Sequence, residues 1–148
     1  MDLINRIDKI LEKLDVPKMV TSVKQPDINI ENDLKGLSIF QLQNETVQLL
    51  AYDIPLFNDE AYRYYIFEFI KKVVLKENTF QDDAFIQDLF ESKLLNKNTT
   101  RYKQFSKEEI QLIHDYLQKC KDEALELNED SAYCEWIDEI DSALKFWT

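Results

Sequence analysis

Hydrophobic residues recur at helical spacing along most of this chain, and they are densest between Phe57 and Phe69. Six of those 13 positions are aromatic. Asn58-Asp59-Glu60, directly after Phe57, is a typical helix start. The apolar positions follow i, i+3, i+4 and i+7 spacing, and Phe67 with Val74 adds a second apolar edge. A helix that is apolar on two sides lies inside a fold rather than on its surface. We therefore predict a central aromatic helix over about residues 59–76.

Further amphipathic segments flank this helix on both sides. Leu3–Leu14 carries an apolar stripe that Pro17 ends, and Ser106-Lys107-Glu108-Glu109 is a capping box that begins another helix. The chain has one glycine, Gly36, and no Asn-Gly or Asp-Gly pair, so tight β-hairpins are not expected. The pattern predicts an all-α fold, a single compact helical domain of five to seven helices. The other predicted elements are helices at about Ser38–Gln43, at Glu45–Tyr52 with Asn44 as its cap, from Thr79 through Phe90 and at about 131–146, and a polar loop at Asn96–Lys103.

The pattern also suggests a division of the chain. No helical period holds from Val16 to about Asn32, and Pro26 stands in the middle of that stretch. We predict an N-terminal amphipathic helix over residues 1–15, an extended arm or linker over 16–32 and a helical domain over 33–148. The apolar stripe of Leu3–Leu14 would be exposed on a lone helix, so this helix is a candidate homo-oligomer contact.

The charge balance narrows the range of partners. The formal net charge is −11, and nine acidic residues lie between Asp122 and Leu144 without a Lys or Arg among them. Nucleic acid is excluded as a partner because phosphate binding needs clustered cations. An acidic surface favours a basic protein partner, although a solvated acidic face is its commonest role. The charged N-terminus and the lack of a long apolar run predict a cytoplasmic protein without a membrane segment.

Common catalytic and metal-binding motifs are missing. A single glycine leaves no phosphate-binding loop and no dinucleotide fingerprint. The chain has one histidine, His114, and the gap between Cys120 and Cys134 is far from the spacing of structural zinc sites. We therefore predict no catalytic residues, no metal site and no cofactor.

Two groups of residues are candidate binding sites. The first is acidic: Glu135, Asp138 and Glu139 share one side of the last helix through i, i+3, i+4 spacing. With Asp122 and Glu126 they form the predicted partner-binding set.

The second group is centred on Arg63, with Tyr62 and Tyr64 beside it in the aromatic helix. A guanidinium among tyrosines can bind an anion, and it can equally stack on a ring or pair with a carboxylate as part of the packing. We favour the structural role and keep a ligand-binding pocket as the alternative.

The residues Asp59-Glu60-Ala61-Tyr62-Arg63-Tyr64-Tyr65 resemble the signature of an uncharacterised family of small bacterial proteins, a domain of unknown function. That family has an acidic-Ala-aromatic-Arg-Tyr-Tyr helix, a later capped helix and a C-terminal Ala-Leu-x-x-Trp helix. Tyr102–Glu109 and Ala143-Leu144-Lys145-Phe146-Trp147 are similar to its second and third elements, so the resemblance covers about residues 34–147. It implies a cytosolic bacterial source and supplies no activity.

Together these features favour a non-enzymatic, acidic, all-α binding module. It would engage a basic protein, as an immunity or antitoxin-like protein does. The alternative is a small-molecule or enzymatic pocket beside the aromatic helix, centred on Arg63. A third hypothesis is self-association through Leu3–Leu14.

Overall fold

The computed structural model describes residues 2–75, 100–126 and 132–148, apart from the side chains of 124, 132–137 and 139. These ranges contain no β-strand, only an isolated antiparallel bridge between Thr21 and Phe57. The all-α prediction is confirmed. Seven α-helices lie in the described ranges: α1 (Leu3–Glu12), α2 (Ile28–Leu34), α3 (Asn44–Asp53), α4 (Asp59–Val74), α5 (Thr100–Lys103), α6 (Lys107–Glu126) and α7 (Ala132–Phe146), with short 3₁₀ helices at Ile39–Gln41 and Ile54–Leu56.

The chain divides into two compact units, one within Met1–Asp88 and one within Leu89–Thr148. The first unit contains α1 to α4, and the second contains α5 to α7. The domain boundaries predicted from the sequence stay a prediction. None of the described helices has the length and hydropathy of a membrane span.

The aromatic helix α4 is the core element of the first unit. Asn58 caps it, because its Oδ1 accepts a hydrogen bond of 2.8 Å from the Ala61 amide. The side chains of Tyr62, Tyr65 and Phe67 are almost wholly buried, and Phe57 meets Tyr65 edge to face. The helix ends at Val74, and residue 76, where the sequence placed its end, lies outside the described ranges.

Helix α1 packs against α4, which covers the centre of its apolar stripe. Ile7 and Ile10 are buried, and Asp8 forms an ion pair of 2.7 Å with Lys71 of α4. The stripe that suggested self-association therefore has a partner within the chain. Self-association through this helix stays a prediction.

The predicted arm is anchored along its middle. Val20 and Thr21 are buried, and the Glu31 carboxylate accepts hydrogen bonds from both of their backbone amides. On the other side, the Asn58 side-chain amide donates to the carbonyls of Met19 and Thr21, at 2.9 and 3.1 Å. These contacts attach the non-helical segment to α2 and to the start of α4.

The end of the predicted arm is helical rather than extended, because α2 begins at Ile28. Asp27 caps it by accepting from the Ile30 amide at 3.1 Å, and Ile30 and Leu34 bury one side. After α2 the chain turns at Gly36, whose φ of 71° lies in the left-handed region that glycine adopts without a Cβ penalty.

The two short predicted helices differ in detail from the structure. The one expected at Ser38–Gln43 is a 3₁₀ turn over Ile39–Gln41, in which Ser38 and Gln41 form a capping box. Asn44 is the first residue of α3 rather than its cap. Gln43 holds the cap position and makes no side-chain capping bond, so the prediction for Asn44 was wrong.

Glu68 is a buried carboxylate on α4. It accepts from the Ser38 hydroxyl at 2.5 Å and from the Ile39 amide at 3.1 Å, and so binds the start of the 3₁₀ turn. The Tyr65 hydroxyl donates to the Leu37 carbonyl at 2.7 Å, and Leu37 directly precedes Ser38, the cap of that turn. Burial raises the pKa of the Glu68 carboxyl, whereas the two hydrogen bonds and the charge of Lys71 oppose the rise.

The second unit is built on the packing of α6 against α7. Ser106 caps α6 as predicted, because its Oγ accepts from the Glu109 amide at 3.2 Å, and that hydroxyl donates to the Glu109 carboxylate at 2.7 Å. Trp147 is fully buried and lies against the rings of Tyr102, Phe105 and Phe146. The buried side chains that α6 and α7 contribute include Leu112, Ile113, Tyr116, Leu117, Ile140, Ala143 and Leu144.

Two predicted elements fall wholly or partly outside the described ranges. The helix from Thr79 through Phe90 lies outside the described ranges. The polar loop predicted at Asn96–Lys103 is described only from Thr100, and Thr100–Lys103 is helical there.

Asn58 allows a test of how the arm is held. Asn58→Ala removes the cap and both donations to the arm, and we expect it to lower the free energy of unfolding by roughly 2 kcal/mol. Asn58→Asp keeps a capping oxygen but loses both donations, so it should also be less stable than the wild type. Urea unfolding followed by far-UV circular dichroism measures both. An Asn58→Asp variant as stable as the wild type would show that the arm contacts add nothing.

Glu68 predicts a dependence of stability on pH. Its pKa is raised in the folded state from an ordinary value of 4.5, so above that pH the unfolded chain loses its proton first. The carboxyl's contribution to stability is therefore complete below pH 4.5 and declines as the pH rises through the folded pKa. Compared with Glu68→Gln, which does not titrate, the wild type should lose unfolding free energy as the pH rises above 4.5 toward the raised pKa of the folded state. A difference between the two proteins that stays constant or grows with pH would contradict this.

Candidate functional site

The tyrosines of the predicted Arg63 site belong to the core of the first unit. Tyr62 and Tyr64 are buried, and Arg63 between them is half-buried. The Tyr64 ring meets Tyr65 edge to face at 5.0 Å. Burial and the nearby Glu68 raise the pKa of Tyr64 to about 12, so its hydroxyl stays protonated at neutral pH. These side chains serve packing, and ligand binding at Arg63 stays a prediction.

The predicted acidic residues lie on the last two helices. Asp122 and Glu126 are exposed on α6, and Asp138 is exposed on α7. Glu135 and Glu139 also fall in α7, but their side chains lie outside the described part of the structure.

Part of this negative charge is compensated locally. Lys119 pairs with Glu123 at 2.5 Å, and Lys121 pairs with Asp141 at 2.7 Å. Both lysines come just before the acidic stretch in the sequence. The uncompensated charge of that stretch is therefore smaller than its own residues suggested. Exposed pairs of this kind contribute little to stability, but they do reduce the local field.

The same helix carries carboxylates that hydrogen-bond to amides. Gln111 donates to Asp115 at 2.8 Å, and Gln118 donates to Asp122 at 3.1 Å. With Glu126 these residues follow i, i+4, i+7, i+11 and i+15 spacing, which places them along one stripe of the helix. We call Asp115, Asp122 and Glu126 the α6 acidic face. In the described ion pairs, neither Asp122 nor Glu126 has a Lys or Arg partner.

A groove of about 420 Å³ lies in the second unit, between the first half of α6 and the end of the chain. Its apolar wall comes from Ile110 and Trp147, and Lys107, Gln111, His114 and Thr148 supply its polar groups. The buried indole N–H of Trp147 has no hydrogen-bond acceptor within the described ranges. In size the groove suits a small molecule. Lys107 and His114 are the titratable side chains in its described lining.

The residues considered for a metal are not arranged as ligands. His114 Nδ1 lies 3.7 Å from the neighbouring Asp115, and Cys120 is half-buried. The Cys134 side chain lies outside the described residues. Within the described ranges, no group of three or more His, Cys, Asp or Glu side chains could hold a metal ion.

Sequence reasoning missed an acidic cluster in the first unit. Packing of α2 against α3 brings Asp53 near Asp27 and Asp33, which are far from it along the chain. Burial, followed by the charges of Asp27 and Asp33, raises the pKa of Asp53. The one feature of the sequence that pointed to this cluster is the lack of any Lys or Arg between Lys35 and Arg63.

Comparisons with protein-family models, with curated proteins and with solved structures find no significant match to this chain. The resemblance carried by residues 59–65 therefore stays a prediction.

Proposed function

We propose that this chain is a non-enzymatic protein-binding module that engages a basic partner through the α6 acidic face. The observation that carries the proposal is the stripe formed by half-buried Asp115 and exposed Asp122 and Glu126, in a chain of net charge −11. An immunity or antitoxin-like protein that neutralises a basic partner is one form of this function. A cytoplasmic location belongs to the same proposal.

The arrangement of the stripe supports a role in recognition. The Asp115 and Asp122 carboxylates accept hydrogen bonds from glutamine amides, which are neutral donors and leave the negative charge in place. Acidic side chains in such a position accelerate association with a basic surface and orient it, and salt weakens the effect. Glu123 and Asp141, which pair with lysines, would contribute less.

The alternative function, a pocket centred on Arg63, has less support. Its two tyrosines are buried in the core, and the groove described above is lined by Lys107–His114 and Trp147 instead. If the chain binds a small molecule, that groove is the better candidate.

The proposed function can be tested with a photoreactive residue at position 118, in the middle of the α6 acidic face, and with the same residue at position 145 as the control. Lys145 is exposed on α7 and lies off the stripe. Irradiation in a lysate of the source organism at low salt should capture a basic protein at position 118 in excess over position 145. No such excess would overturn the proposal.

The captured protein can then be purified and titrated against variants. Replacing Asp122 by Asn together with Glu126 by Gln should weaken binding roughly fivefold, because each exposed charge contributes about 0.5 kcal/mol. Glu123→Gln is the matched control, since Lys119 already pairs with that carboxylate. Added salt should reduce the difference between the double variant and the wild type. Equal weakening by the control would rule out the α6 acidic face as the binding surface.

A further inference from the structure

A row of large apolar side chains on α3 and the following 3₁₀ turn is exposed to solvent. Leu49 is 67% exposed, Tyr52 is 68% exposed and Leu56 is 57% exposed. Val47, Leu50, Ala51 and Ile54 of the same segment are buried and face the core. Spacing of i, i+3 and i+7 places the three exposed residues on one side of the segment, over about 10 Å. The segment is therefore apolar on its outer side as well as its inner side.

Carboxylates border this row. Asp53 follows Tyr52 directly and projects toward the side where Leu56 lies, given the rotation per residue of the two helices. Packing of α2 on α3 brings Asp27 and Asp33 near Asp53. Ile28, next to Asp27, is 70% exposed and adds another apolar group.

The row on α3 lies in a stretch of the chain without cations, whereas Lys24 and Lys35 flank α2. The stretch between Lys35 and Arg63 contains Glu45, Asp53, Asp59 and Glu60 but no Lys or Arg. The three aspartates repel one another, so a positive charge placed beside them would relieve that repulsion. Exposed apolar anchors with a charged rim are the usual composition of a protein-binding surface.

We propose that one surface of the first unit binds a basic amphipathic helix of a partner protein. We call this surface the α3 apolar face, and it consists of Ile28, Leu49, Tyr52, Asp53 and Leu56. The apolar stripe of such a helix, with anchors at i, i+3 and i+7, matches the row on α3 in length. Lysines or arginines that flank the stripe would lie against Asp27, Asp33 and Asp53. A second copy of this chain fits less well because its own acidic rim would face the same carboxylates.

The α3 apolar face belongs to the first unit, and the α6 acidic face belongs to the second. The two faces can therefore be tested independently, and failure of one leaves the other standing.

The probe is a fluorescent synthetic peptide of leucine and lysine with about two heptads of amphipathic helix. A control peptide carries glutamate in place of lysine. Replacing Leu49 and Leu56 together by Ser should weaken binding of the lysine peptide about tenfold, because two apolar anchors are lost. Leu125→Ser is the matched control: Leu125 is also exposed, stands next to Glu126 and lies on α6. It should change the affinity by less than about twofold. All these positions are exposed, so the variants are expected to keep the wild-type circular dichroism spectrum.

Amide chemical shifts of the ¹⁵N-labelled chain locate the peptide. We expect the changes to centre on α2 and α3, and we expect the variant with Asp122→Asn and Glu126→Gln to bind the peptide as the wild type does. Shift changes centred on α6, equal weakening by Leu125→Ser, or equally tight binding of the glutamate peptide would each overturn the proposal. So would light scattering that shows a dimer of the wild type which dissociates in the variant with Leu49→Ser and Leu56→Ser, because the occupant would then be a second copy.

Discussion

The first unit depends on buried and half-buried carboxylate and amide side chains that bind backbone groups outside the helices. A buried amide or carbonyl without a partner is costly, and the segments between α1 and α4 cannot satisfy their own. Glu31 bonds to the amides of Val20 and Thr21, Glu68 bonds to the amide of Ile39, and Asn58 bonds to the carbonyls of Met19 and Thr21. Three polar side chains on two helices thus fix two irregular segments around the aromatic core.

This arrangement leaves the outer side of α3 uncovered. The arm and the 3₁₀ turn at Ile39–Gln41 contact α2 and α4, while Leu49 and Tyr52 are exposed to solvent. The backbone groups of the irregular segments have hydrogen-bond partners, whereas large apolar side chains on one face of α3 are exposed. Exposed apolar groups of this kind are typical of a binding surface. The second unit differs, because the exposed side of its longest helix is polar and acidic. The two units would then recognise partners in different ways, one through apolar anchors and the other through charge.

The helices with a long apolar period were predictable from the sequence. The starts of α4 and α6 and the end of α7 lie where they were expected, because burial of one stripe decides where such helices form. Helix α2 was missed because it is short and buries only Ile30 and Leu34. The burial of Glu68 could not be foreseen either, since its partners Ser38 and Ile39 lie about 30 residues earlier and only packing brings them together.

The candidate surfaces were less predictable than the fold. Asp122, Glu126 and Asp138 are exposed as expected for an acidic face, but the pairing of Glu123 and Asp141 with lysines depends on helix geometry. Tyr62 and Tyr64 had a pattern that suited either a core or a pocket, and their burial places them in the core. The grouping of Asp27, Asp33 and Asp53 required the contact between α2 and α3.

Native-state amide hydrogen exchange tests most directly whether side chains of α2 and α4 hold the irregular segments. The amides of Val20, Thr21 and Ile39 lie outside the α-helices, yet they donate to Glu31 and Glu68. We expect their exchange to be slowed to the level of amides inside α4. The amide of Lys24, which bonds only to the exposed Ser22 hydroxyl, should exchange fast. If Val20, Thr21 and Ile39 exchanged as fast as Lys24, the carboxylates would not be holding these segments, and the account of the first unit would be wrong.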